Sequence, residues 1–74
     1  MEDKEILHRI SENIRIKRLK KKFTQEKLAE LSGITQKYIS LIEKQKANPS
    51  IVIIVKIAEA LNTDLNLLIK EVED

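Results

Sequence analysis

The 74-residue sequence predicts an all-α protein, a compact bundle of five helices. One glycine and one proline leave few residues that interrupt regular structure. No segment alternates between apolar and polar residues over the length of a strand, whereas apolar residues recur at three- and four-residue steps. A chain of this length forms one domain at most, so we expect residues 1–74 to be a single domain.

The first helix is predicted from Asp3 to about Lys21. The basic residues at its C-terminal end suit the negative pole of the helix dipole. The residues of its inward face recur at helical spacing. They are Ile6, Leu7, Ile10, Ile14 and Arg18.

A second helix is predicted after Thr24, whose hydroxyl can cap the free backbone N–H groups of the first turn. It ends at Gly33, the only glycine, which can adopt the left-handed conformation of a helix C-cap. The residues expected to face inward are Leu28, Ala29 and Leu31.

Thr35 caps the third helix, which we expect to reach about Lys44. An apolar residue precedes each cap, an arrangement known as a hydrophobic staple. Phe23 can pack on Leu28, and Ile34 can pack on Ile39. Two capped helices joined at one glycine form the pattern of a helix-turn-helix.

Two further helices complete the bundle. Ser50 is the expected N-cap of the fourth helix, although the Ile-Val run that follows favours a strand by propensity. The helical spacing of the apolar residues predicts a helix instead. Its inward residues are expected to be Ile51, Ile54, Val55, Ala58 and Leu61. Asn62 can end it, and Asp64 can cap a fifth helix that presents Leu65, Leu68, Ile69 and Val72.

Basic residues are concentrated in the middle of the chain. Between Arg15 and Lys46 there are ten lysines and arginines against three acidic residues, a net charge of +7 on a chain that carries +2 overall. A basic segment on a nearly neutral chain is typical of a nucleic-acid-binding surface, although a run such as Lys20–Lys22 can also be a solvated helix end.

The third helix separates an apolar face from one able to read DNA bases. With Gln36 at 0° and about 100° per residue, Lys37 lies at roughly 100° and Leu41 at roughly 140°. Ile39 and Ile42 fall on the opposite side. Glutamine can pair with adenine, lysine can donate to guanine and leucine can contact a thymine methyl group. We expect this face, Gln36, Lys37, Ser40 and Leu41, to read bases; an exposed polar face without a ligand is the alternative.

Positions suited to phosphate contacts surround that face. Backbone N–H groups are free at a helix start, where the dipole is positive. Basic and amide side chains follow the third helix, and a tyrosine lies on its flank. The predicted phosphate-binding residues are Gln25, Thr35, Tyr38, Lys44, Lys46 and Asn48. Solvation of the loop is the alternative for Lys46 and Asn48, and a partly buried spacer is the alternative for Tyr38.

Arg18 and Glu43 both lie near the inward edges of their helices, where charged residues are seldom buried alone. A salt bridge between the first and third helices would explain both. Its expected role is to position the third helix, because desolvation offsets most of the attraction.

No residue pattern indicates catalysis, a metal or a cofactor, and we do not expect an enzyme. The chain lacks cysteine, and His8 is its single histidine. The longest apolar run, residues 51–55, is far shorter than the roughly 20 residues of a membrane-spanning helix. The partly acidic N-terminus is unlike a signal peptide, so we expect a cytoplasmic protein.

From Ile10 to Leu68 the sequence resembles the phage lambda repressor and Cro family of helix-turn-helix domains, also called the XRE family. The matching residues are Asn13-Ile14-Arg15, Arg18, Thr24-Gln25-Glu26-Lys27-Leu28-Ala29, Gly33, Tyr38-Ile39-Ser40, Ile42-Glu43, Asn48-Pro49-Ser50 and Lys56-Ile57-Ala58-Glu59-Ala60-Leu61.

This resemblance implies that the third helix enters the major groove and the second crosses the DNA backbone. It also implies a dimer that reads two half-sites about 34 Å apart. By position, the four residues of the third-helix face fall where family members read bases. Arg18 and Glu43 match the family's salt bridge, and Gln25, Thr35, Lys44, Lys46 and Asn48 fall at or near its phosphate contacts.

The sequence departs from the family pattern at several positions. Lys22 and Gln45 replace glycines that are usual in the family, so both turns must form without them, and Lys17 stands where an apolar residue is usual. In the fourth helix, two apolar residues stand where members often carry polar ones. We expect a homodimer interface at Val52, Ile53, Leu67, Ile69 and Val72; scattered surface hydrophobes are the alternative.

The leading functional prediction is a dimeric transcriptional regulator, a repressor or autoregulator, that binds a pseudo-palindromic operator in bacterial or phage double-stranded DNA. Family members of similar length include phage repressors, restriction-modification controllers and antitoxins, and the sequence does not choose among them. The alternative is a protein-interaction module that uses the apolar surface of the fourth and fifth helices. A pure adaptor would have no reason to keep Gln36 and Lys37 outward beside the basic segment.

Overall fold

The structure, a computed structural model, describes residues 2–72. Over this range the chain forms helices and turns without a strand, which confirms the predicted all-α fold of five helices. The predicted ends of the first and third helices lie one residue beyond the observed ones, and Val72, expected on the fifth helix, lies three residues after its end. The helices are α1 (Asp3–Lys20), α2 (Gln25–Ser32), α3 (Gln36–Glu43), α4 (Ile51–Ala60) and α5 (Leu65–Ile69).

Three of the predicted N-caps are present as side-chain hydrogen bonds. The hydroxyl oxygens of Thr24, Thr35 and Ser50 accept backbone N–H groups at 2.9, 3.2 and 3.3 Å. Asp64 occupies the N-cap position of α5, but its side chain makes no cap bond there. This carboxylate is exposed, where water can solvate it, and only the backbone carbonyl of Asp64 accepts the N–H of Leu67, at 3.0 Å.

The core lies where α1 packs against α3 and α5, while α2 packs against α3 and α4. α4 also contacts α5 and closes the bundle. Each helix contributes at least one buried apolar side chain, so detachment of any helix from the bundle would expose apolar surface to water. The core residues are Ile10, Ile14, Leu28, Ala29, Ile34, Ile39, Ile42, Ile54, Ile57, Ala58, Leu61 and Leu68.

The predicted inward orientation of Leu31 is wrong, because this side chain is 46% exposed. Leu28, Ala29 and Ser32 form the buried face of α2 instead. On a helical wheel Leu31 lies roughly 100° from the centre of that face. Ser32 can be buried because its hydroxyl donates to the carbonyl of Leu28 at 2.7 Å.

The predicted inward sets of α1 and α4 are also partly wrong. Ile51 and Val55 are exposed, whereas Ile57 joins Ile54 inside. Val55 lies about 100° around the helix from Ile54, and Ile51 lies in the first turn of α4. Ile6 has the correct angular position, but it lies near the free start of α1 and lines a surface groove.

The turns after α1 and α3 form without glycine, as the sequence requires. Lys22 has φ 59° and Gln45 has φ 61°, and Asn62 after α4 has φ 53°. Gly33 adopts the same left-handed region with φ 72°. This conformation costs a residue with a Cβ atom roughly 1–2 kcal/mol. Packing of the flanking helices therefore imposes the turns at Lys22 and Gln45 against local preference, whereas Gly33 and Asn62 suit this conformation.

An ion pair joins α1 to α3. Arg18 Nε donates to Glu43 Oε2 at 2.8 Å, and Arg18 Nη2 donates to Glu43 Oε1 at 3.0 Å. The two side chains are 11% and 4% exposed. The remaining Arg18 nitrogen, Nη1, donates to the carbonyl of Phe23 at 2.8 Å. One arginine thus anchors both α3 and the turn that leads into α2.

Two buried serines on the inner sides of their helices differ in their hydrogen bonding. Ser11 is fully buried in α1, and its hydroxyl has no hydrogen-bond partner. The Ser32 hydroxyl is bonded to the carbonyl of Leu28. A buried polar group without a partner costs about 1–3 kcal/mol, whereas a satisfied hydroxyl contributes stability. The two serines therefore allow a buried hydroxyl with a hydrogen bond to be compared with one that has none.

We predict that Ser11→Ala raises the free energy of unfolding by about 1 kcal/mol, because it removes an unsatisfied hydroxyl. Ser32→Ala loses a made hydrogen bond and should be less stable than Ser11→Ala by about 1–2 kcal/mol. The gain in helix propensity also favours Ser11→Ala, because Ser11 lies inside α1 whereas Ser32 is the last residue of α2, so it acts in the same direction as the hydrogen bond. Urea denaturation measures both values. A Ser11→Ala variant less stable than Ser32→Ala would contradict the assignment.

Candidate nucleic-acid interface

The outer face of α3 carries the side chains predicted to read bases. Gln36 and Lys37 are exposed in its first turn, and Ser40 and Leu41 are half-buried one turn later. Ile39 and Ile42 are fully buried on the other side. The helix is therefore fixed by its apolar face while its polar face projects from the bundle.

The start of α3 is well defined. The Thr35 hydroxyl accepts the N–H of Tyr38, so this side chain is used in capping. Backbone N–H groups of a first helical turn lack intrahelical acceptors, and the dipole there is positive. The beginning of α3 can therefore hold an anion through its backbone.

Gln25, a predicted phosphate-binding residue, has a second role. Its Nε2 donates to Glu43 Oε1 at 3.0 Å, so it joins the Arg18–Glu43 ion pair. Local sequence patterns did not indicate this bond, which spans 18 residues. The bond joins the start of α2 to the end of α3. Because the Gln25 side chain is engaged in this bond, the groups at the start of α2 that can bind an anion are its first-turn backbone N–H groups.

The segment after α3 presents the other predicted phosphate contacts. Lys44, Lys46 and Asn48 are exposed. The left-handed Gln45 reverses the chain, and the N–H of Lys46 donates to the carbonyl of Leu41 at 2.8 Å. The two lysines consequently lie beside the C-terminal end of α3, where cations also complement the helix dipole.

Tyr38 is less accessible than the other predicted phosphate contacts. It is half-buried and packs against the hydrophobic core. This position fits the alternative of a partly buried spacer as well as a flanking contact through the phenol group.

Ion pairs account for part of the basic segment. Arg15 pairs with Glu12, Arg18 with Glu43, and Lys27 with Glu30. The hydrogen bond from Arg15 also lowers the pKa of Glu12 below its usual value. The other exposed lysines of the segment carry most of its outward positive charge: Lys20, Lys21, Lys22, Lys37, Lys44 and Lys46.

The predicted interface residues differ in exposure. Val52 is 59% exposed, while Leu67 and Ile69 are exposed to 38% and 41%. Ile53 is only partly available, because it packs against the core, and Val72 is half-buried. Ile51, which was expected inside, is 59% exposed and adds to the apolar surface of α4.

A contact between the start of α1 and the turn after α3 was missed by the sequence analysis. His8 Nδ1 lies 3.2 Å from Gln45 Nε2. The two residues are 37 positions apart, so no local pattern indicates the contact. Both side chains are exposed.

Among residues 2–72 no cluster of three or more histidine, cysteine, aspartate or glutamate side chains could hold a metal ion. No helix within this range is long and apolar enough to cross a membrane.

Known proteins match nearly the whole chain. The family model for the helix-turn-helix matches residues 14–68. Control protein C.SmaI of Serratia marcescens is 38% identical over 69 residues, which cover 93% of this chain and 79% of that protein.

Solved structures agree. The restriction-modification controller protein C.AhdI of Aeromonas hydrophila superposes with a TM-score of 0.81 at 35% identity, covering 84% of this chain and 94% of that one. A variant of the restriction-modification controller protein C.Esp1396I has a TM-score of 0.81 at 32% identity, with coverages of 85% and 82%. The chain therefore belongs to the helix-turn-helix family of the lambda repressor and Cro type, a family of DNA-binding transcriptional regulators.

Proposed function

We propose that this protein is a homodimeric transcriptional controller that binds a pseudo-palindromic operator in bacterial or phage DNA, within the cytoplasm. The observation that carries the proposal is the outer face of α3, whose base-reading side chains project from a helix locked by two fully buried isoleucines. An adaptor that binds only protein would not need this face.

In the proposed complex α3 enters the major groove. Gln36 pairs with an adenine, Lys37 donates to a guanine, and Leu41 contacts a thymine methyl group. Ser40 can donate to or accept from a neighbouring base edge. Each good bidentate contact is worth about 1–3 kcal/mol of discrimination between bases.

Phosphate contacts set the register of this helix. The first turns of α2 and α3 each offer backbone N–H groups. Lys44, Lys46 and Asn48 add side-chain contacts at the other end of α3, with Tyr38 on its flank. Because these contacts do not depend on base identity, they support binding to any DNA sequence.

The exposed apolar side chains of α4 and α5 support a homodimer. Val52 is the most exposed member of the predicted interface, and it lies on the same helix as the exposed Ile51. Leu67 and Ile69 contribute from α5, while Ile53 and Val72 contribute less because they are partly covered. A two-fold symmetric dimer would cover such a patch on both copies and present two α3 helices to two half-sites.

Similarity to restriction-modification controllers sharpens the biological role. Control protein C.SmaI and the two structures named above are controllers, and the first covers 93% of this chain. We therefore propose that this chain controls transcription of restriction-modification genes, including its own.

Selection of bound fragments from random double-stranded DNA tests the proposal most directly. The expected result is an enriched sequence with two inverted half-sites separated by about one helical turn. Enrichment of single half-sites would contradict the dimer, and the absence of any enriched sequence would overturn sequence-specific binding.

We predict that Gln36→Ala reduces the preference for the selected operator by about 1–3 kcal/mol, because a base contact is lost. Binding to unrelated DNA, measured by fluorescence anisotropy in the same buffer, should stay almost unchanged. An equal loss on both DNA sequences would show that Gln36 does not read a base.

Lys46→Ala should weaken binding to all DNA sequences alike. The slope of log K against log salt concentration should become smaller by about 1, because one phosphate contact and its released counterion are lost. Lys4→Ala is the matched control, since it removes the same charge from an exposed lysine at the start of α1, outside the basic segment and the proposed interface. A Lys46→Ala slope equal to that of the wild type would remove Lys46 from the phosphate contacts.

Val52→Asp should raise the dimer dissociation constant at least about tenfold, because it buries a charge in an apolar interface. Sedimentation equilibrium without DNA measures the effect. Leu19→Asp is the matched control, since Leu19 is 50% exposed on α1 outside the proposed interface. Equal effects of the two substitutions would refute a role for Val52 in dimerisation.

A further inference from the structure

Asn13 makes two long-range hydrogen bonds from inside α1. Asn13 is only 6% exposed. Its Nδ2 donates to the carbonyl of Leu68 at 3.0 Å and to the carbonyl of Lys70 at 2.9 Å. A side-chain amide has two N–H donors, and both are used here. The acceptors lie at the end of α5, 55 and 57 residues away.

The C-terminal end of α5 depends on these two hydrogen bonds. α5 has only five residues, too few for a helix that is stable by itself. Its final carbonyl groups lack intrahelical donors, and at Lys70 the backbone becomes extended, with ψ 171°. The buried side chain of Leu68 and the two bonds from Asn13 anchor this end to α1. The Arg9–Glu71 pair, at 3.7 Å with Glu71 exposed, adds little.

The residues around the two bonded carbonyls belong to the proposed dimer interface. Leu67 and Ile69 flank Leu68 in sequence, and Val72 follows Lys70 by two positions. Because Asn13 holds the carbonyls of Leu68 and Lys70, it also limits where these three apolar side chains lie.

α1 carries a second tether of the same kind. Arg18, five positions after Asn13, holds α3 through Glu43. One helix thus joins the element that reads DNA to the element expected to contact the second subunit.

We propose that Asn13 is a positioning residue for dimerisation, and that through α1 it sets the separation of the two α3 helices. This inference rests on the proposed homodimer. Asn13 itself touches neither DNA nor the partner in this scheme; it acts through the backbone of α5. If Asn13 contributed stability alone, its loss would lower the free energy of unfolding without a specific effect on dimerisation or on half-site spacing.

The test compares the wild-type chain with Asn13→Ala and with Ile34→Val. Ile34 lies in the core between α2 and α3, so its substitution weakens the fold away from α5. Sedimentation equilibrium should give a dimer dissociation constant about tenfold higher for Asn13→Ala and nearly unchanged for Ile34→Val. If Asn13→Ala does not fold, Asn13→Ser, which retains one donor, replaces it with the same expected direction.

DNA binding gives a second readout that loss of stability does not mimic. The wild type should discriminate against an operator whose half-sites are one base pair further apart, and Asn13→Ala should discriminate less, because its α5 is held less firmly. Ile34→Val should discriminate like the wild type. The carbonyl carbon resonances of Leu68 and Lys70 should also shift in Asn13→Ala, which reports the lost bonds directly.

The outcomes separate the two proposals. A wild-type chain that stays monomeric at high concentration refutes the homodimer, and this inference falls with it. A dimeric wild type with an equal dissociation constant and equal spacing discrimination in Asn13→Ala overturns the role of Asn13 while the homodimer stands.

Discussion

The Arg18–Glu43 ion pair is the constraint on which the geometry of this protein depends. All three guanidinium nitrogens of Arg18 are engaged, two with Glu43 and one with the carbonyl of Phe23, and Gln25 adds a bond to the same carboxylate. Burial of both charges costs most of what their attraction provides, so the net gain in stability is small. The larger consequence is geometric, because these four bonds fix α1, the turn before α2 and the end of α3 relative to one another.

A second constraint is the repeated use of a left-handed turn. Chain reversal after each of the first four helices places one residue at positive φ, and only one of those residues is glycine. Tertiary packing overrides local preference at Lys22 and Gln45, at roughly 1 kcal/mol or more for each, whereas Asn62 is a residue type that adopts this region more readily. A small core of twelve apolar residues must supply that energy, which leaves little excess stability in the isolated chain.

Local chemistry determined how much could be predicted from the sequence. The hydroxyl caps at Thr24, Thr35 and Ser50 and the left-handed Gly33 follow from residues a few positions apart, so the helices and their order were predictable. The orientation of Leu31 was not, because leucine is buried more often than serine, whereas here Ser32 takes the inward position with its hydroxyl bonded to the carbonyl of Leu28. Gln25 and Asn13 form bonds across 18 and more than 50 residues, and only the assembled fold brings those partners together.

The outer face of α3 has a consequence for how such proteins diverge. Gln36 and Lys37 are exposed and take no part in the core, whereas the residues that hold α3 in place lie behind them. If Gln36 and Lys37 read bases as proposed, substitutions at these positions change the preferred DNA sequence while the scaffold stays intact. After duplication of such a gene, each copy can then acquire its own DNA target through a few mutations. Every intermediate variant would keep a stable fold.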